Sequence, residues 1–225
     1  MSLPASYDTT RHALHAVAEH VLAKARYLAV GRIGLAAAPG GFATPAFDGR
    51  VVRVDGTDLV VVDEAEERRV PLTTLRAAGE LVGVTPGMLP DVYRPATPLV
   101  LDAPLEIEPD AAAILADWLS LGDEALERFT SELRRDQGEE VSDRTLWPEH
   151  FDLAISSSEV NFGVSPGDAA ITEPYAYVGP WARPLPGDAE FWNEPFGAAV
   201  RRRDIGTVDD LVGFFRAGWV ASRPS

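Results

Sequence analysis

Phe151-Asp152-Leu153-Ala154-Ile155-Ser156-Ser157-Ser158-Glu159-Val160-Asn161-Phe162-Gly163-Val164 decides the fold class. Apolar and polar residues alternate here with the period of two that sends successive side chains to opposite faces of a strand. With Ser157-Ser158 as the turn, Ile155 faces Val160, Leu153 faces Phe162 and Phe151 faces Val164, so these apolar residues share one face. A slip of one residue would destroy the match, and this pins the register. The other face then carries Asp152, Ala154, Ser156, Glu159, Asn161 and Gly163. Pro174 to Gly179 reads as a further strand with Tyr175 and Tyr177 on one face.

Working outward, Val51–Val54 and Leu59–Val62 flank Asp55-Gly56, a hairpin signal because glycine accepts the positive φ of a tight turn. The unbroken run Leu59-Val60-Val61-Val62 predicts a strand buried on both faces. The acidic tip Asp63 to Glu67 turns back into Arg68-Arg69-Val70-Pro71-Leu72, and Thr73 or Thr74 caps a short helix, Leu75 to Val82, stopped by Gly83. Six prolines between Thr85 and Pro109 enforce an extended, irregular path. That stretch is either a linker or a surface wrap, and alternating Leu99, Leu101, Leu105 and Ile107 favour the wrap.

Helical spacing of Leu14, Val17, Val21, Ala25 and Leu28 predicts an amphipathic helix over 9–30, capped by Asp8, Thr9 or Thr10 and ended by Gly31. Two more helices are expected over 110–121 and 124–136, split by Gly122-Asp123, and Thr207 caps a last one through Val220. The expected fold is α+β: mostly antiparallel sheet with an N-terminal helix, a central helix pair and a C-terminal helix. It is expected as a single compact unit over 1–225, whose one candidate sub-boundary is the proline-rich stretch 84–109.

Composition excludes several function classes. A hydrophobic share of 46% and a charged share of 24% describe a folded globule. The absence of cysteine removes disulfides, thiolate nucleophiles and Cys-based metal sites. A net charge of −15 disfavours nucleic acid and anionic membranes, and Arg201-Arg202-Arg203 reads as a solvated helix end or loop. No window is apolar enough to span a bilayer and no secretory signal is visible, so a soluble cytoplasmic protein is expected. Lys24 stands alone against the arginines, a usage suggesting a GC-rich bacterial genome. No Gly-x-Ser-x-Gly elbow, His-Glu-x-x-His pair, Walker loop or Gly-x-Gly-x-x-Gly turn is present.

Two constellations remain as candidate sites. Residues 147–181 gather Trp147, His150, Asp152, Asn161, Tyr175, Tyr177 and Trp181, an aromatic and acidic set suited to a cleft holding a small molecule or a protein partner. Within it, Glu149-His150-Phe151-Asp152 can supply a general base, if His150 and Asp152 share a strand face. On the first helix, Asp8, His12, His15 and Glu19 fall within an arc of about 60° at 100° per residue. His12, His15 and Glu19, with His150 as a further ligand, are therefore a candidate site for a divalent metal and a hydrolase-like activity. Each constellation also has a plain structural reading: a solvated sheet face for the first, the wet side of an amphipathic helix for the second. A third reading makes the aromatic stretch a subunit interface in a homo-oligomer.

Leu14 to Leu22, Pro71 to Arg76, and Leu146-Trp147-Pro148-Glu149-His150-Phe151-Asp152 through Pro180-Trp181 together resemble a family of uncharacterised proteins from high-GC bacteria. The resemblance spans most of the chain and implies one compact soluble unit; it brings no activity, cofactor or catalytic residue with it.

Overall fold

The computed structural model describes residues 3–64, 66–187 and 189–223. Ala65 of the acidic hairpin tip and Asp188 of the Leu-Pro-Gly-Asp turn lie outside the described residues. The fold is α+β, with two antiparallel five-stranded sheets, in each of which the strands neighbour one another in chain order. The chain divides into two compact units, Ser2–Asp117 with Leu146–Phe151, and Trp118–Thr145 with Asp152–Ser225. The proline-rich stretch 84–109 lies wholly inside the first of these. Among the described residues no helix is long and apolar enough to cross a membrane.

In the first unit, one helical rod comprises α1 (Tyr7–Val17), a π-helical segment (Ala18–Ala23) and α2 (Lys24–Val30). It ends at Gly31, whose φ of 68° needs a residue without a Cβ penalty. Its start is earlier than capping chemistry suggests: Ser6 is the N-cap, so Asp8 lies in the first turn and pairs with Arg11. The first sheet is a meander of β1 (Ala36–Ala38), β2 (Gly41–Ala43), β3 (Arg50–Asp55), β4 (Asp58–Asp63) and β5 (Glu66–Pro71). The Asp55-Gly56 signal is realised, with Asp55 opposite Asp58 and Gly56 at φ 62°. Leu59, Val60 and Val61 are fully buried, as an unbroken apolar run requires. Thr74 caps α3 (Leu75–Val82) by accepting from the Ala77 N–H at 3.1 Å.

The proline-rich stretch wraps. Gly87 N–H bonds the His20 carbonyl (3.0 Å), Arg76 holds Asp102, Leu105 N–H bonds the Thr73 carbonyl, and Glu108 N–H bonds Thr10 Oγ1. The attachment is by hydrogen bonds to helix and loop groups rather than by a leucine stripe, since Leu99 stays 47% exposed. Proline-rich backbone has few partners within itself, so its remaining donors and acceptors are satisfied by the elements it crosses.

Helix α4 (Pro109–Gln137) is one continuous 29-residue element, not the expected pair. Within the second unit, Gly122 is not a break: a Cβ there would sit well inside contact distance of the Val164 methyls. The glycine lets helix and sheet approach closely, and Asp123 pairs with Arg144 (2.8 Å) instead of capping a new helix. Gly218 on α5 (Val208–Ala221) repeats the device against Val178, 2.6 Å from where its Cβ would be. Thr207 and Asp210 form the capping box that starts α5.

The second sheet comprises β6 (Thr145–Trp147), β7 (Asp152–Ser157), β8 (Val160–Ser165), β9 (Tyr175–Pro180) and β10 (Ala198–Arg201). In the β7–β8 hairpin Ser157 pairs with Val160, Ile155 with Phe162 and Leu153 with Val164. The turn is Ser158-Glu159, both at positive φ, one residue later than expected, and each pairing moves by two. Because two is the period of the strand, the apolar face survives the correction. That face packs an aromatic cluster in which Phe162 lies 5.0 Å from Phe129, 6.1 Å from Phe215 and 6.4 Å from Trp219.

Candidate functional site

The side of the first helix that amphipathicity assigns to water is buried. His15, Glu19, His20, Arg11 and Lys24 are all covered, Glu19 completely and His20 to 99%. Charged side chains seldom occupy such positions unless partnered, and for Glu19 and His20 the first unit supplies the partners from the wrapped segment. Glu19 accepts from the N–H groups of Ala96 (2.8 Å) and Thr97 (2.9 Å) and from Thr97 Oγ1. His20 Nε2 lies 3.1 Å from the Thr97 carbonyl.

Both residues lie in the π-helical segment Ala18–Ala23. On an α-helix Glu19 and His20 would diverge by about 100°. The i→i+5 pattern over Ala18–Ala23 alters that phase and disrupts the regular ladder of carbonyl bonds. The His20 carbonyl accepts from Gly87 N–H, so the same segment that covers the side chains satisfies the backbone.

The protonation pattern follows from the partners. A carbonyl only accepts, so His15 Nε2–H donates to Pro148 O (2.7 Å) and His20 Nε2–H donates to Thr97 O. Burial pushes both imidazoles below their ordinary value, against the opposing pull of Glu19, and keeps them neutral. His15 also stacks on Phe151, with ring centroids 4.9 Å apart and planes at 7°. With its hydrogen on Nε2, His20 carries a lone pair on Nδ1. That atom is buried and has no hydrogen-bond partner among the described residues.

The Tyr93 hydroxyl, Glu149 Oε2 and Arg26 Nε in the first unit, and Thr130 Oγ1 in the second, are also among the buried atoms with no hydrogen-bond partner among the described residues. Burial raises the Tyr93 phenol well above its ordinary range, and the charges of Glu19 and Glu149 push the same way. Tyr93 therefore stays a neutral hydroxyl. An unsatisfied buried polar group costs about 1–3 kcal/mol, so each of these atoms is a cost to the folded first unit.

The proposed metal ligands are not assembled. His12 is exposed, with Nδ1–H on the Asp8 carbonyl (2.8 Å). His15 has committed Nε2 to Pro148, and both Glu19 oxygens are occupied. Its nearest approach to Glu19 is 3.7 Å. Among the described residues no group of three or more His, Asp or Glu is placed to hold a metal ion.

The aromatic set of 147–181 divides between the units. In the first, Trp147 and His150 are exposed. Phe151 at φ 53° ends the turn before β7 begins at Asp152, so His150 and Asp152 share no strand face. In the second unit, Tyr177 stands opposite Gly163 and its hydroxyl donates to Asp152 across β8. Gly163 makes that crossing feasible, because a Cβ there would lie 2.7 Å from the ring. Tyr175 donates to Asp168 (2.6 Å), which also takes the N–H groups of Ala170 and Ile171. Both phenols are raised by burial first and by their carboxylate partners next, so both stay protonated donors. Asn161 Oδ1 accepts from Ser156 Oγ and from Nε1 of Trp181, which is 59% exposed. The polar tips of this face are therefore engaged with one another.

His20, Tyr93 and Thr97 were not singled out by sequence, and Glu149 entered only with His150 and Asp152 as part of a possible general-base run. On an α-helical wheel His20 falls between the apolar stripe and the His15/Glu19 face, and nothing in the sequence marks the π-helical segment in which it lies. Comparison with protein-family models, with curated proteins and with solved structures found no match for this chain.

Proposed function

We propose that the protein binds a small molecule, and that the first unit holds it at the polar cluster around Glu19. The observation that carries the reading is the trio of buried, unpartnered atoms: His20 Nδ1, the Tyr93 hydroxyl and Glu149 Oε2. The tyrosine-rich sheet face supports binding less well, because its phenols already donate to Asp152 and Asp168. In the cluster a ligand would meet polar atoms desolvated in advance and anchored by Thr97 and the π-turn. Such preorganisation lowers the cost of binding.

The test is a thermal-shift screen of small metabolites on the full chain. A ligand at a hundred times its Kd adds about 2.7 kcal/mol of stability, enough to raise Tm by several degrees. True hits lose about tenfold in affinity in Tyr93→Phe, which keeps the ring and removes one hydroxyl. Hits that bind Tyr93→Phe and His20→Gln as tightly as the wild type would sink the assignment.

A further inference from the structure

Strand β10 is the edge of the second sheet, so one side of its backbone has no strand to pair with. Its residues pair with β9 in the register Ala198–Val178, Ala199–Tyr177, Val200–Ala176 and Arg201–Tyr175. Alternate residues of an antiparallel strand turn their N–H and C=O to opposite sides. Ala199 turns its two groups to the free side, and one side chain takes both. Ala199 N–H donates to Asn193 Oδ1 (2.9 Å), and Asn193 Nδ2 donates to the Ala199 carbonyl (3.0 Å). By the same alternation Arg201 also turns its N–H and C=O outward. The turn before β10 shows what the side chain replaces. Glu194 and Gly197 exchange two backbone bonds of 3.0 Å each, and continuing that pairing would set Trp192 opposite Ala199. Ala199 instead bonds the Asn193 amide, which carries a donor and an acceptor as a peptide group does. An open edge is a template for another strand, and proteins blunt edges with charge, proline or short length. The first sheet does so: β5 carries Glu66, Glu67, Arg68 and Arg69 and ends at Pro71, while β1 is three residues long. Strand β10 has no proline, and its one charge, Arg201, is held by Glu173 and Glu194.

We propose that Asn193 is a latch on the β10 edge, and that the edge it closes is a pairing site for a second copy of this chain. The second copy is the occupant because β10 is self-complementary about Val200. With the two Val200 residues opposite each other, Ala199 of each copy faces Arg201 of the other. Both residues turn their N–H and C=O outward, so the pairing makes four backbone bonds around a two-fold axis. No like charges meet, since each arginine stands opposite an alanine. With the latch closed, the Asn193 amide occupies the Ala199 groups that this pairing requires. Asn193 itself is exposed, so its amide can leave for water without uncovering a core.

The chain has no cysteine, so a single introduced thiol reports the pairing. Facing residues of a non-hydrogen-bonded pair have Cα atoms about 4.5 Å apart, within disulfide reach. Full chains carrying Val200→Cys, with Asn193 kept or with Asn193→Ala, are oxidised with glutathione disulfide, and the covalent dimer is followed by intact mass. Val220→Cys on α5, at a position 70% exposed, measures random collision in the same two backgrounds. The expected result is dimer formation through Val200→Cys about tenfold faster or more with Asn193→Ala, and no acceleration through Val220→Cys. Light scattering should show a concentration-dependent dimer for Asn193→Ala without any thiol. Circular dichroism establishes that the variants fold. If Asn193→Ala does not fold, Asn193→Asp carries the test, because it keeps the acceptor for Ala199 N–H and frees the carbonyl. Equal rates through Val200→Cys in the two backgrounds overturn the latch. Acceleration that is equal at Val200→Cys and Val220→Cys places the contact elsewhere and overturns the β10 edge as the pairing site.

Discussion

Glu19→Gln removes one charge and replaces one acceptor oxygen with a donor, at almost constant volume. In the wild type one carboxylate oxygen takes the Ala96 N–H and the other takes both the N–H and the hydroxyl of Thr97. A glutamine cannot satisfy this arrangement in either orientation, since its NH2 must face at least one N–H donor. Hydrogen bonds to charged groups contribute about 1.5–3 kcal/mol each, and a buried donor left unmade costs a comparable amount. Losing one bond, and the charge from the others, gives a destabilisation of about 3 kcal/mol. Tm of the first unit should fall by roughly 10 °C on that basis. The more discriminating assay is amide hydrogen exchange. If the 84–109 segment opens locally, 3 kcal/mol corresponds to about 100-fold faster exchange at Ala96 and Thr97. Glu149→Gln is the control, because Glu149 Oε2 bonds no protein group among the described residues and its loss should leave those amides protected. Exchange at Ala96 and Thr97 within threefold of the wild type in Glu19→Gln would refute the claim that the carboxylate fastens the segment.

Acid should weaken the first unit. His15 and His20 titrate below their ordinary 6.5 in the folded state, so the unfolded chain binds the proton first. The stability that follows from neutral rings is complete above about 6.5 and is lost as pH falls below it. Urea midpoints at pH 7.5 and 5.5 report this loss, His20→Gln should shrink the difference, and an unchanged difference would remove His20 from the account. Gly122→Ala tests the second unit by sign. Helix propensity alone predicts a gain of up to about 1 kcal/mol, whereas overpacking against Val164 predicts a loss of about 1–3 kcal/mol, read by thermal unfolding. Tyr177→Phe takes a donor from buried Asp152 and should cost about 1–3 kcal/mol; a Tm within 1 °C of the wild type would show the contact to be energetically idle.

Strand chemistry was largely legible because it is local. The β7–β8 turn was misplaced by one residue, yet Leu153, Ile155, Phe162 and Val164 still share a face, since the error preserved the parity of every pairing. Gly56, Thr74 and Gly83 act where turn and cap chemistry put them. Gly122 shows where local reading fails. In sequence a glycine followed by aspartate is a helix stop and a helix start. In the fold it is the spot where α4 needs no side chain, a need set by Val164 far along the chain. The candidate site was legible only in part for the same reason. His15 and Glu19 were picked out by spacing, but their chemistry is decided by Pro148, Ala96 and Thr97, which no helical wheel contains.

The buried charge on the first helix also bears on what kind of site this is. A wet helix face needs no covering, and a structural one is more simply covered with apolar residues, since a buried ionic arrangement rarely improves on well-packed hydrophobic groups. Here the cover is a proline-rich segment fastened by backbone N–H groups to a carboxylate, and the helix is π-helical over Ala18–Ala23, where Glu19 and His20 lie. Both devices are costly to stability alone. His20 Nδ1, the Tyr93 hydroxyl and Glu149 Oε2 are left buried with no hydrogen-bond partner among the described residues. Apolar replacement of the trio (His20→Leu, Tyr93→Phe, Glu149→Met) separates the two explanations. A binding site should give up ligand affinity on replacement while the fold is kept, and a hit that binds the replaced protein as tightly as the wild type would count against the binding reading.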